Sequence, residues 1–279
     1  MQSIVLLGGD RRQFYLAGLF AEDGYAVSAC QVPGLPEPEQ PLSEALAQAD
    51  LVVLPMPAFD PGKSIRSQSG GLPLQSVLEA MRPGAVLAGG RLGPGRALLD
   101  AYQIRRIDYA EDETLAIFNA IPSAEGAIQI AMEQTDGTLW RSRVLVIGFG
   151  RIGRALAARL HALGAQVSVS ARKASDLAVI DSLGYRSEKT GIYEAGLCRY
   201  DCILNTVPAP VLSAAHLQAI RPDARVIDLA SSPGGLDPTC VRDARYIPAL
   251  ALPGRVAPKS AALFIRDSIL RSLNEPGGK

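Results

Sequence analysis

The chain has 279 residues, 48% of them hydrophobic, and its 28 basic side chains are balanced by 28 acidic ones. That length suits two ordinary domains with separate cores, and the charge balance argues against nucleic acid or a membrane surface as partner, since both demand a basic excess or patch. No apolar run approaches the roughly 20 residues that span a bilayer, and the N-terminal MQSIVLLGGD lacks a basic n-region, so a cytoplasmic protein is expected. Cys30, Cys198, Cys202 and Cys240 are scattered and read as small buried apolar groups in a reducing compartment, not as metal ligands.

In chain order, residues 3–8 (SIVLLG) predict a strand that runs into a helix with apolar Phe14, Leu16, Ala17, Leu19 and Phe20. Gly24 ends that helix, and residues 25–30 begin the next strand, a first βαβ unit. Further strands are expected at 51–54, 85–88 and 106–108, giving an open, mostly parallel α/β domain over residues 1–121. The Pro-, Gly- and Ser-rich stretch from Pro55 to Pro73 predicts a mobile loop at the C-terminal edge of the sheet, where α/β proteins bind ligands. Arg11 and Arg12 directly follow the first strand. They serve either as cleft-facing cations or as surface charges, and arginine at a helix start opposes the helix dipole, a local cost that favours function. Residues 121–134 (IPSAEGAIQIAMEQ) predict a linker helix with Ser123 as N-cap and Glu125 as proton acceptor or capping carboxylate, while Asp112 and Glu113 read as solvated.

Residues 143–153 (RVLVIGFGRIG) then place an apolar strand before a G-x-G-x-x-G turn and a helix. In that spacing Gly148 makes the tight turn, Gly150 admits a pyrophosphate and Gly153 lets helix and strand pack closely, with the anion at the helix N-terminus. Gly148, Phe149, Gly150, Arg151, Ile152 and Gly153 are therefore expected to contact a dinucleotide. The next strand ends in Ser170, Ala171, Arg172 and Lys173 where an NAD-selective domain carries an acid; the two cations suit a 2′-phosphate, which favours NADP and leaves NAD possible.

Strands at 201–205 and 225–229 with a helix at 213–220 complete the second domain, residues 122–257. Their ends, Asn205, Thr206, Val207, Pro208, Asp228, Leu229, Ala230 and Ser231, read as cofactor contacts or as turn formers. A last helix, 258–273, returns to the first domain, so that domain includes 258–279. The expected fold class is α/β, with two Rossmann-like or flavodoxin-like parallel-sheet domains and an interdomain cleft as the default active site. Lysine occurs only at 63, 173, 189, 259 and 279. Lys259 stands in the turn PGRVAPK, as a substrate or catalytic group or a solvated helix start. His161 and His216 lie inside predicted helices, and no histidine follows Arg225, unlike the 2-hydroxy-acid dehydrogenases. No hydrolase elbow or zinc triad appears.

The segments GGDRRQFYLA (8–17), NAIPSAEGAIQIAME (119–133), GFGRIG (148–153), DLASSPGG (228–235) and LPGRVAPKSA (252–261) together closely resemble the A subunit family of dipicolinate synthases, over nearly the whole chain. Trp140 and Arg143 depart from that pattern, ahead of the glycine turn. The resemblance implies a sporulating bacterium's mother-cell cytoplasm and, for a partner, the flavoprotein-like B subunit of dipicolinate synthase. It also implies formation of pyridine-2,6-dicarboxylate from the hydroxytetrahydrodipicolinate of the lysine pathway, by loss of water and a two-electron oxidation with NAD(P). A planar dicarboxylate needs cations or N–H donors at both ends, so Arg11 and Lys259 are expected to face each other across the cleft, with Arg12, Ser123 and Glu125 as further catalytic candidates. A homo-oligomer is expected. Two alternatives remain open: a methylenetetrahydrofolate dehydrogenase-like enzyme, whose Pro-Gly-Gly-Val-Gly-Pro turn is similar to LPGRVAPKS, and a non-catalytic NADP-binding scaffold that presents the B subunit.

Overall fold

The computed structural model describes residues 2–62, 64–68, 70–193, 196–240 and 242–275. Lys63 and Lys279, two of the five lysines, fall outside them. The chain divides into two compact units, Met1–Asn119 with Ala257–Lys279, and Ala120–Val256.

In the first unit five parallel strands, β1 (Ser3–Leu7), β2 (Ala26–Cys30), β3 (Leu51–Val53), β4 (Val86–Gly89) and β5 (Arg105–Asp108), take the order β2-β1-β3-β4-β5. Both faces of this sheet are covered, which is why its central strands read as unbroken apolar runs. Alternate residues of β1 serve opposite faces. Ile4 and Leu6 pack with Leu16 and Phe20 of helix α1 (Arg11–Glu22), whereas Val5 and Leu7 pack with Leu46 of α2 (Leu42–Gln48), Val77 of α3 (Leu74–Ala80) and Leu99 of α4 (Arg96–Ala101).

The loop after β3 departs from the expected mobile segment. Ala58, Phe59 and Ile65 are buried, and Ile65 bridges both Phe59 and Leu72 in antiparallel fashion, so apolar anchors hold the described part of the loop on the sheet.

A helix, α5 (Glu113–Gln134), runs without a break through the expected N-cap: Pro122 lies inside it, and Ser123 is a buried mid-helix residue rather than a cap. The start is instead marked by Asp112, whose carboxylate accepts from the Thr114 N–H at 2.8 Å and also binds the Ser268 hydroxyl and Arg271, each at 2.6 Å. Asp112 is thus an anchor, not a solvated charge. By length and composition α5 is apolar enough to cross a bilayer, contrary to the expectation of no such run, but half of its most apolar window is buried within the fold.

The second unit has six parallel strands in the order β11-β10-β9-β6-β7-β8. These are β6 (Arg143–Ile147), β7 (Gln166–Ala171), β8 (Arg186–Lys189), β9 (Cys202–Asn205), β10 (Arg225–Asp228) and β11 (Tyr246–Pro248). Helices α6 (Arg151–Ala162) and α7 (Ala174–Ser182) pack with Val144 and Val146 on one face, and α8 (Ala214–Ala219) packs with Leu145 and Ile147 on the other. The LPGRV segment forms a short helix, α9 (Leu252–Val256), rather than an open turn. Its Leu252 and Val256 lie so close to Gly126 of α5 that a Cβ there would touch both. The last helix, α10 (Pro258–Asn274), packs Ala262, Ile265 and Ile269 into the α1 face of the first unit. Of the cysteines, Cys30 and Cys202 are buried as expected, but Cys198 is exposed and Cys240 half-buried.

Candidate functional site

The turn between β6 and α6 is built by three glycines for three different reasons. Gly148 has φ +100°, and a Cβ on it would lie 2.5 Å from the Thr206 hydroxyl; a Cβ on Gly153 would fall on the Gly148 carbonyl oxygen. Both are required by the protein's own packing. Gly150 is not, because its φ is −80° and a Cβ there would meet nothing within 4 Å. The open space at Gly150 faces the start of α6, whose N-cap offers no side chain and whose first turn carries no acid. Unpaired N–H groups at such a helix start attract an anion. These residues fit a dinucleotide pyrophosphate.

The neighbouring residues divide into wall and rim. Phe149 is buried in the core, with the Arg154 guanidinium 4.6 Å from its ring centroid, and Ile152 packs against the same core. Arg151 stands exposed at the helix start. Thr206 donates from its backbone N–H and its hydroxyl to the Ile147 carbonyl, both at 2.9 Å, and so ties the end of β9 to that of β6. Val207 is half-buried and Pro208 exposed.

At the end of β7 Ser170 and Ala171 are buried while Arg172 and Lys173 are exposed. Adjacent β8 and the residue that follows it add two groups that sequence reading missed. Lys189 is paired in register with Ala171 and donates its ammonium to the Arg172 carbonyl at 2.6 Å, and the Thr190 hydroxyl meets the Ser170 hydroxyl at 3.0 Å. Lysine scarcity was the available signal for Lys189, but only strand pairing brings it beside Arg172.

Asn205 and Asp228 are expected cofactor contacts that the structure turns inward. Both are buried. The Asp228 carboxylate accepts from the Asn205 amide at 2.8 Å, the Ala230 N–H at 3.0 Å, the Gly235 N–H at 2.7 Å and the Tyr246 hydroxyl at 2.9 Å. Burial and this bond to Asp228 push the Tyr246 phenol up to about 12. A Cβ on Gly235 would land on the Asn205 amide, which explains the second glycine of DLASSPGG. The motif is therefore a cross-braced loop that positions buried Leu229 and Ala230 and exposed Ser231.

The catalytic candidates come together less well. Glu125 is exposed and lies 3.4 Å from Arg159, which makes it an ion-pair partner within its own unit. Lys259 is exposed in the first turn of α10 and belongs to the same unit as Arg11, not to the opposite one, so the expected pair facing across the two domains does not stand in that form. Arg11 rests against Tyr15, 3.3 Å from its hydroxyl. Arg12 is engaged: it holds both oxygens of Asp10 and donates to the Met56 carbonyl at 2.5 Å.

A parallel sheet with an open glycine turn and an uncapped helix start is the architecture of a dinucleotide-binding domain. Residues 123–233 accordingly match the family model of the D-isomer specific 2-hydroxyacid dehydrogenase NAD binding domain. Residues 3–110 match the model of the N-terminal domain of the dipicolinate synthase A subunit. The A subunit of the Bacillus subtilis dipicolinate synthase is 36% identical over 167 residues, a match that spans 59% of this chain and 56% of that relative's length. Two solved structures are similar to the whole chain. The dipicolinate synthase A subunit from Bacillus halodurans gives a TM-score of 0.86 at 28% identity, covering 99% of this chain and 98% of that one. The A chain of the Bacillus subtilis dipicolinate synthase gives 0.83 at 28% identity, covering 98% and 95%. In sequence and in fold this chain resembles the A subunit of dipicolinate synthase through both of its units.

Proposed function

We propose that this chain is the NADP-preferring oxidoreductase subunit of a dipicolinate synthase, acting with a B subunit in the cytoplasm of a sporulating mother cell. The observation that carries the reading is Gly150, a glycine that no protein contact requires, at the open start of α6. A Cβ there would meet no protein atom within 4 Å, so the space beside Gly150 is left open to something that is not protein.

A bound nicotinamide would supply the two-electron oxidation by accepting a hydride, the substrate's second proton passing to solvent. The chain's own contribution is to hold and orient. The α6 N-terminus and the Gly148–Gly153 turn take the pyrophosphate, and Arg172 and Lys173, with Lys189 behind them, favour the extra phosphate of NADP. The Asp228 brace fixes the loop that follows β10. The proposed substrate is a cyclic dicarboxylate, hydroxytetrahydrodipicolinate, which loses water and is oxidised to the pyridine. Positioning, and cations that hold the carboxylates, would assist the hydride transfer.

The test is NADPH formation, followed by its fluorescence, from hydroxytetrahydrodipicolinate by this chain alone and together with the B subunit. Turnover in either case supports the reading. Binding of NADP without turnover in both would leave a scaffold in its place.

A further inference from the structure

The glycines of the first β–α turn are explained by a loop rather than by a ligand, and that loop presents an arginine. Gly8 has φ +60°, and a Cβ on it would fall on the Arg66 carbonyl oxygen. The Gly9 N–H donates to that same carbonyl at 2.8 Å, while the Arg66 N–H donates to the Ala58 carbonyl at 2.9 Å. Gly9 lies two residues past β1 and Ala58 in the loop that follows β3, so the Arg66 backbone is held between the β1 turn and that loop. In the order β2-β1-β3-β4-β5 this is the place where the connections leave in opposite directions. Ligands of open α/β sheets bind at that crevice, outside the carboxyl ends of the strands.

Beneath it the crevice is closed by Gln13, whose buried amide donates to the Leu7 carbonyl at 3.5 Å and the Val53 carbonyl at 3.3 Å. Of the three arginines near the turn, Arg12 is held by Asp10 and Met56, and Arg11 lies along α1 against Tyr15. Arg66 is exposed, next to the buried Ile65 that anchors its loop. Its side chain makes no hydrogen bond or ion pair among the described residues, and its charge reaches Asp10. Asp10 is already matched by Arg12, which leaves a positive charge in excess on a backbone fixed from both sides.

We propose that Arg66 is the cation of the first unit that binds a carboxylate of the substrate, in the role that Arg11 and Arg12 were expected to fill. This rests on the dicarboxylate reading given above. A guanidinium binds a carboxylate bidentately, and an arginine on a doubly anchored backbone loses little freedom on doing so.

Dipicolinate itself is the probe, titrated calorimetrically into the full chain with NADP present. Arg66→Gln should weaken dipicolinate binding about 10- to 100-fold, with NADP affinity and melting temperature at wild-type values. Arg66→Lys should recover part of the loss, because it restores the charge without the fork. Arg12→Gln should shift the melting temperature, which Arg66→Gln should not. Wild-type dipicolinate affinity in Arg66→Gln would overturn the assignment alone. Absence of dipicolinate binding in the wild type, with NADP still bound, would overturn the dicarboxylate reading and the assignment with it.

Discussion

The two units begin their sheets with the same grammar, an apolar strand, a glycine turn and a helix that starts on arginine, and they use it for opposite ends. In the first unit the turn GGDRR is filled by the protein. The Arg66 carbonyl, Gln13 and Pro55 occupy the space beside Gly8 and Gly9, and the Asp10 side chain caps α1 by accepting from the Arg12 N–H at 3.0 Å. In the second unit the turn GFGRIG has no capping side chain and open space at Gly150. A glycine turn before a helix is thus a cofactor site only where the protein leaves the helix start unsatisfied.

Breaking the open turn should have the largest effect. Gly150→Val should weaken NADP binding by about 100-fold or more, about 3 kcal/mol, while the first unit stays folded and the second loses no more than the roughly 1 kcal/mol of a poorer N-cap. A fluorescence titration with unaltered NADP affinity would remove the basis for the cofactor site. The closed turn should respond in the opposite way. Gly8→Ala puts a methyl group on the Arg66 carbonyl at a positive φ and should destabilise the first unit by about 2–4 kcal/mol in urea unfolding, with the NADP dissociation constant unchanged.

Arg172→Asp sharpens the comparison further, since it alters the open site's choice of cofactor and not its existence. Loss of a charge-assisted phosphate contact should reduce the preference for NADP by about 1.5–3 kcal/mol and reverse the order of NADP and NAD. Equal affinity of the wild type for both would contradict the role given to the two cations.

The smallest effect belongs to the Asp10 cap. Burial raises the Asp10 carboxyl, but the hydrogen bonds and charge of Arg12, helped by Arg66, outweigh it and hold the group below its ordinary 3.8. A folded-state value below the unfolded one means that the stabilisation is complete above pH 3.8 and is lost as the pH falls through the lower folded-state value. Asp10→Asn should remove that acid-dependent part, about 1 kcal/mol for a cap whose outer side is screened, and unfolding midpoints compared between pH 6 and pH 3 would show it. An unchanged difference between the two pH values would mean that other carboxylates carry the acid response.

The cofactor turn was legible in the sequence because its determinants are local. Strand, glycine spacing and helix start lie within residues 143–153, where the positive φ of Gly148 and the contact of Gly153 with the Gly148 carbonyl are local, although Thr206 from a distant strand end also closes on Gly148. The short unbroken apolar runs, spaced by helical segments, likewise announced two parallel α/β units, since a strand buried on both faces is apolar at nearly every position. Helix α5 was misread for a local reason that proved weak: Pro122 and Ser123 look like a helix start, yet tertiary packing carries the helix through them from Glu113. What only the tertiary structure decided were the pairings between distant segments. Arg12 is held by Met56, Asp228 is turned inward by Tyr246, Lys189 stands beside Arg172, and Arg66 lies over the β1 turn. Each depends on which strands are neighbours, and strand order is set by the burial of whole faces, not by any residue's immediate sequence.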